Sequence, residues 1–320
     1  MNPIKRVGQA AVAMLPDAAE RLITDLARSA RFETRARAFR SEYGLRPAGR
    51  RLTVLAYPQP VTRQPHVLVA KLCAALGYHV VSVPTRPYDV ALRFHDATFS
   101  DPSLLDPLPP DLPVINRGAT DISKTRVARE YERAFGGQSL VDPRTHEGEI
   151  VEKPDVNAAD GRGLVVAPLE PRDGFVYQRL IDSRTGDGHY IEYRLPVHDG
   201  RFPLVYRKVI DEGTRFEKKA TRVTIEDPAD HFSADELDRI GRLAHAMGVE
   251  FGELDVLRDN GDGLPYVIDV NDTPWGELKW VSPGERARAY SALAASFQRM
   301  CEARLRPPGG RVLAGRSHGL

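Results

Sequence analysis

The stretch from Gly248 to Gly276, GVEFGELDVLRDNGDGLPYVIDVNDTPWG, decides how the rest of the chain is read. Its centre, Asp259-Asn260-Gly261-Asp262-Gly263, is a run of turn formers between two apolar, β-prone segments. Two antiparallel strands, Glu253–Leu257 and Pro265–Val270, are therefore expected, joined by a tight connection. The first carries Asp255; the second carries Asp269, with Asn271 two places on. Strand side chains alternate faces, so Asp269 and Asn271 point the same way. If Asp255 lies across from them, three hard oxygen ligands converge, a donor set that suits Mg²⁺ held jointly by protein and phosphate. The competing reading is a surface hairpin whose polar residues are solvated or cap turns. The turn itself is no EF-hand, because Gly261 stands where a second ligand belongs.

Composition sets the outer bounds. At 320 residues, with 42% hydrophobic and 28% charged residues, the chain reads as a globular protein long enough for two domains or one with a lid. A net charge of +1 gives no global field that selects nucleic acid or an anionic membrane. Two cysteines, Cys73 and Cys301, are too few and too distant for a disulfide framework or a zinc site, which points to small core residues and a cytoplasmic setting. No apolar run approaches the roughly 20 residues that span a bilayer. The apolar run Ala10–Leu15 is too short for a signal-peptide core.

Residues 1–50 differ from the remainder of the chain, with a net charge of +5. Their pattern is helical, with Leu22, Ile23 and Leu26 on one side and arginines spread around. A basic helix of this kind lies on a membrane, grips a partner or packs on its own domain; the third is expected, since the arginines keep to no single face. From residue 51 strand and helix alternate: Thr53–Tyr57, a helix Pro65–Leu76 stopped by Gly77, then strands Tyr78–Val83, Asp89–Phe94 and Leu112–Ile115. That order predicts a small open parallel αβ domain. Neither a G-x-G-x-x-G nor a G-x-x-x-x-G-K-[ST] motif is present, so a nucleotide site here needs another device.

The middle of the chain offers one. A helix over Thr120–Phe135 carries Lys124 in its first turn, a poor place for a cation unless an anion is near. Strand Glu149–Lys153, the turn Asp160–Gly163 and strand Leu164–Val166 form a hairpin whose glycine loop can fold over phosphates, with Lys153 at its entry. Phe175–Leu180 is apolar enough to wall a flat pocket. Strands Tyr190–Val197 and Phe202–Ile210 come next; Glu192 and Arg194 share a face of the first, and Arg207 and Lys208 sit on the second. Capping boxes at Ser233/Glu236 and Ser282/Glu285 open two structural helices. The tail from Pro307 is glycine-, proline- and arginine-rich, the composition of a disordered segment.

This order resembles the ATP-grasp superfamily over about Val114 to Gly276, and locally the branch of the ribosomal-protein glutamate ligases and D-alanine–D-alanine ligases. The metal strands of that branch read roughly G-[VLI]-D-[VIL] and E-x-N-x-x-P-G. Here they read Gly252-Glu253-Leu254-Asp255-Val256 and Asp269-Val270-Asn271-Asp272-Thr273-Pro274-Trp275-Gly276. One extra residue precedes Asp255, and Asp269 replaces the usual glutamate. The resemblance implies an α/β (α+β) ATP-grasp fold with a preceding small open parallel αβ domain and an N-terminal helical extension. The expected segments are a basic helical extension (1–50), the αβ domain (51–118), a small lid subdomain (119–180), a large subdomain with the metal site (181–306) and the tail (307–320).

It also implies roles. Lys124 and Lys153 touch the nucleotide phosphates, and Gly161 and Gly163 belong to the loop that closes over them. Tyr177, Gln178, Arg179 and Leu180 hold adenine, largely by backbone groups, and Glu192 accepts from the ribose hydroxyls. Arg194 and Arg207 face the γ-phosphate as catalytic groups, and Asp255, Asp269 and Asn271 carry Mg²⁺, two ions being expected and Mn²⁺ an allowed substitute. Lys208 and Arg222 are weaker candidates, read as surface charges; Trp275 is read as core, and Arg86 and Arg117 as surface arginines near strand ends. The implied activity is an ATP-dependent ligase joining a small-molecule carboxylate to an amine (or thiol) through an acyl-phosphate, with a homodimer unremarkable for the fold. A small-molecule kinase and a non-catalytic ATP-binding regulator are the alternatives.

Overall fold

The structure, a computed structural model, describes residues 17–157, 159, 163–215, 220–276 and 281–305. The expectations for residues 1–16, for Gly161 in the glycine loop and for the tail from 307 fall outside the described residues.

Helix α1 (Asp17–Tyr43) packs on the first domain, as its charge pattern predicts, but by a different face. Asp25, Ser29, Phe32 and Ala36 are buried, whereas Leu22, Ile23 and Leu26 are exposed. The polar members of the buried stripe have specific partners. Ser29 donates to the Val80 carbonyl at 2.7 Å, and Asp25 accepts from the Ser82 amide at 3.0 Å and from Arg86 at 2.7 Å. Arg86 is thus an anchor for α1 rather than a free surface arginine.

Strands β1 (Thr53–Pro58), β2 (His79–Val81), β3 (Val90–Phe94) and β4 (Val114–Ile115) form the open parallel sheet, ordered β2-β1-β3-β4. Helix α2 (Leu68–Leu76) crosses from β1 to β2. It starts at Leu68 rather than Pro65, because Val67 keeps extended backbone, and it ends at Gly77 in the left-handed region (φ 68°). Against α2 and α1 lies the last helix, α5 (Pro283–Ala303), opened by the predicted capping box of Ser282 and Glu285. Leu72, Phe94, Phe251 and Phe297 meet in this core. Full burial of each such side chain stabilises by about 1.5–3 kcal/mol.

Two antiparallel sheets complete the fold. The smaller joins β5 (Gly148–Pro154), β6 (Gly163–Ala167) and β7 (Phe175–Arg179) in the order β6-β5-β7. The larger joins β8 (Tyr190–His198), β9 (Val205–Ile210), β10 (Arg222–Glu226), β11 (Phe251–Arg258) and β12 (Pro265–Asn271) in the order β10-β9-β8-β11-β12. Strand β9 starts at Val205, not Phe202, since Pro203 has no amide to give a ladder. One face of the large sheet buries Leu195, Leu254 and Val256 together with Ile240 and Leu243 of α4 (Ala234–Ala246) and Val127 of α3 (Lys124–Phe135). The other face packs Tyr206 and Phe251 against α5 at one end of the strands and carries Glu192, Arg194, Glu253 and Asp255 further along.

The two halves of the chain are stitched at Asn116, fully buried and left-handed (φ 61°). Its Oδ1 accepts from the Glu250 and Phe251 amides at 2.8 Å, and its Nδ2 donates to the Phe251 carbonyl at 2.7 Å. Beside it Gly248 meets Gly118 so closely that a Cβ on Gly248 would lie 2.3 Å from the Gly118 carbonyl carbon.

Candidate functional site

Register across the large sheet decides which side chains share the open face. Asp255 pairs with Asp269 on β12 and with Arg194 on β8, and Glu192 pairs with Lys208 on β9. Directly opposed residues point to one side, so Asp255, Asp269, Arg194, Glu192 and Lys208 project together. A bulge between Asp255 and Val256, where Ile268 is the extra residue of β12, lies immediately beside the pair.

The same register places Arg207 elsewhere. It lies opposite Tyr193 and Thr224, on the far face, where it lines an open pocket of about 510 Å³ with Asp187, His189 and Arg222. Arg207, expected beside Arg194, therefore lies on the opposite face of the sheet from it, and its neighbour Lys208 shares the face with Arg194. Lys208 is buried rather than a solvated surface charge, and bonds Glu192 at 2.9 Å. Glu253, two residues before Asp255, shares the face and is also buried. Period-two spacing from Asp255 is the signal in the sequence that marks it.

The smaller sheet supplies the opposite wall. Lys153 on β5 and Gln178 on β7 are both buried and bonded to each other. With Glu192, Ile210, Leu257 and Ile268 they enclose a narrow cavity of about 50 Å³. Gln178 Nε2 is shut off from solvent with no hydrogen-bond partner among the described residues. Gly163 opens β6 opposite Glu152.

The backbone groups assigned to adenine are partly taken. The Tyr177 carbonyl accepts from the Val141 amide at 2.9 Å, and the Arg179 amide donates to Ser139 at 3.0 Å. The Tyr177 hydroxyl donates to Glu152. The Arg179 side chain turns to Asp259, Asp262 and Tyr266, so the turn Asp259–Gly263 holds the end of β7 instead of lying free in solvent. Leu180 is next in the chain, beside Ile181, whose carbonyl accepts from Arg215 at 2.7 Å.

Lys124 reaches the site from the first residue of α3. Ser123 caps that helix, and Asp155, just after β5, binds the amide and hydroxyl of Thr125 at 2.8 and 2.9 Å. This brings Lys124 Nζ to 3.1 Å from the Val156 carbonyl, 3.3 Å from Asn157 Oδ1 and 3.7 Å from Asp269 Oδ1.

The acidic side is unevenly satisfied. Asp255 is gripped by Arg194 at 2.6 and 2.8 Å. Asp269 Oδ1 is closed to solvent and accepts no hydrogen bond from the described residues, though a third of the side chain is exposed. Burial pushes the Asp269 carboxyl above its usual range; Lys124 opposes this, nearby Asp255 adds to it, and Lys153 and Arg194 also oppose it. Asn271 turns its Oδ1 to the Thr273 amide at 2.9 Å. Trp275, expected in the core, is 62% exposed, with its ring edge-on to His66. Arg117 donates to the carbonyls of Pro109 and Leu112.

Among the described residues no three His, Cys, Asp or Glu side chains form a metal-holding group. Two opposed carboxylates, one with an unbonded buried oxygen, nonetheless fit a Mg²⁺ ion that takes its other ligands from phosphate and water. Lys124, Lys153 and Lys208 are buried on the same side of the site, Lys208 paired with Glu192 at 2.9 Å and Lys124 lying 3.7 Å from Asp269, which concentrates positive charge beside the acidic pair. No described helix is long and apolar enough to cross a membrane.

No family model and no curated protein matches this sequence. Among solved structures, the chain is similar to D-alanine–D-alanine ligase from Bacillus anthracis complexed with ATP. That match has 15% identity, covers 79% of this chain and 97% of that one, and gives a TM-score of 0.46. It is also similar to a RimK domain ATP-grasp protein from Sphaerobacter thermophilus, at 17% identity over 79% and 100% of the two chains and a TM-score of 0.42. A third match, the ATP-grasp ligase PsnB, has 18% identity over 56% of this chain and a TM-score of 0.35; it spans 63% of that protein, less than two thirds of its length. The solved structures that this chain resembles thus include ATP-grasp ligases.

Proposed function

We propose that this protein is an ATP- and Mg²⁺-dependent ligase that joins a carboxylate to an amine through an acyl-phosphate. One observation carries the reading: three buried lysines, Arg194 and an acidic pair with an unbonded oxygen converge on one cleft between two sheets. Such a set serves phosphoryl transfer, which asks the protein for positioning and charge neutralisation rather than for a nucleophile.

The chemistry starts from the carboxylate, a poor electrophile because its leaving group would be oxide. Its oxygen attacks the γ-phosphorus of ATP, the bond to ADP breaks, and a mixed anhydride forms. An amine then attacks the acyl carbon, phosphate leaves, and the amine's proton passes to solvent or to a basic group. Lys124 and Lys153 bind the polyphosphate, Glu192 accepts from the ribose, and Gln178 and Leu180 meet adenine. Arg194 and Lys208 hold the charge that develops on the transferred group. Mg²⁺ held by Asp255 and Asp269, with Asn271 at the strand end, neutralises phosphate charge when bound.

The test is ADP release across pools of amino acids and small carboxylates, with Asp269→Ala and Lys153→Ala alongside. Release that requires both a carboxylate and an amine, and that both substitutions abolish, is the expected result. Release that requires an alcohol alone would instead make the protein a kinase.

A further inference from the structure

The metal end of β12 does not stand on its own sheet alone. The residues directly after it are tied, one after another, to the first domain. Arg93 of β3 donates from Nη1 to Asp272 Oδ2 at 2.6 Å, with both side chains almost wholly buried. Thr273 Oγ1 donates to Asp96 at 3.2 Å, the Leu68 amide donates to the Pro274 carbonyl at 2.7 Å, and Lys71 donates to the Trp275 carbonyl.

We propose that Arg93 is a positioning residue for the metal-binding end of β12: through Asp272 it fixes the backbone that aims Asn271 and Asp269 into the cleft. This role rests on the nucleotide and Mg²⁺ site of the proposed function.

Two arguments support it. A buried ion pair contributes little net stability, because desolvating both charges offsets their attraction, and an apolar pair of similar size does as well. This pair is a single-point contact, with Arg93 Nη2 and Asp272 Oδ1 both buried and lacking a hydrogen-bond partner among the described residues, so its worth as a stabiliser is lower still. What it does supply is direction. Asp272 is the neighbour of Asn271, whose Oδ1 is drawn back into a turn by the Thr273 amide, so a shift at Asp272 moves the Asn271 amide and tilts the strand end that carries Asp269. Groups that orient metal ligands from behind tune metal affinity by about 10–100-fold.

The experiment compares wild type with Arg93→Lys and with Arg93→Met combined with Asp272→Leu, the latter an apolar pair of similar volume. Two quantities are read: the Mg²⁺ concentration that half-saturates thermal stabilisation by ATP, and the affinity for a fluorescent ATP analogue without Mg²⁺. The expected result for the apolar pair is a half-saturating Mg²⁺ concentration raised about tenfold, with metal-free nucleotide affinity unchanged. Arg93→Lys, which keeps the charge, recovers part of the shift. An unchanged Mg²⁺ requirement in the folded apolar-pair variant overturns the inference while leaving the proposed function standing. A wild type that ATP and Mg²⁺ do not stabilise overturns both.

Discussion

Arg194 on β8 and Asp255 on β11 face each other across the sheet and are joined by two hydrogen bonds, at 2.6 and 2.8 Å. The carboxylate proposed to carry a cation is held by the guanidinium proposed to meet phosphate. In the free protein each group thus satisfies the other. Arg194→Ala leaves Asp255 half-buried without its main partner, and the expected cost is on the order of 2 kcal/mol. Urea unfolding of the free protein measures it; a variant as stable as wild type would mean that Lys208, 3.9 Å from Asp255, takes over the charge.

Asp269 shows the opposite balance. Burial raises its carboxyl pKa, so holding it ionised costs the fold stability. Asp269→Asn is therefore expected to hold or raise the melting temperature while lowering ADP release by a factor of about 100 or more, the scale at which a preorganised electrostatic group acts. Loss of both stability and activity would show that Asp269 is structural.

The faces of β9 give a paired test. Lys208→Ala removes a buried cation from the cleft, and Arg207→Ala removes one from the far side of the sheet. Activity is expected to fall at least tenfold further in the first than in the second, about 1.4 kcal/mol of lost transition-state stabilisation. The reverse order would mean that the strand pairs one residue out of register.

Acid stability has an identifiable contributor. Glu236 sits in the capping box of α4 and accepts from Arg258 at 2.8 and 3.1 Å. Burial alone pushes its pKa up, but the bonds from Arg258 and Ser233 outweigh it, so the net value lies below 4.5. A depressed carboxyl contributes stability that is full above its unfolded pKa and disappears as pH falls through the folded value. Glu236→Gln should flatten the loss of stability below about pH 4.5 and lower stability at neutral pH by roughly 1 kcal/mol. A parallel pH profile for wild type and variant would assign the acid limb to other groups.

Much of this architecture is legible in the chain because its signals are local. The turn formers between Leu257 and Pro265, the capping boxes at Ser233 and Ser282, and the stop at Gly77 each act within a few residues. What escapes such reading depends on distant partners. The buried side of α1 carries Asp25 and Ser29, and only Arg86 and the Val80 carbonyl make that burial tolerable; apolar Leu22, Ile23 and Leu26 misdirect the pattern. Strand β10 passes unnoticed because Arg222–Glu226 offers only two aliphatic residues, and it forms by adding to β9. Arg207 and Lys208 are adjacent cations on one strand, and only the register against Glu192 and Tyr193 says which enters the site. In a strand one residue of register exchanges every side chain between faces.

Every role assigned to the cleft between the sheets requires that it bind a nucleotide polyphosphate. The most direct measurement is the thermal unfolding of wild type and Lys153→Ala, with and without millimolar ATP and Mg²⁺. Wild type is expected to gain about 2–3 kcal/mol when nucleotide is roughly 100-fold above its dissociation constant, and Lys153→Ala little or nothing. Equal stabilisation of both would place the nucleotide elsewhere, and no stabilisation of wild type would contradict the site and the activity proposed for it.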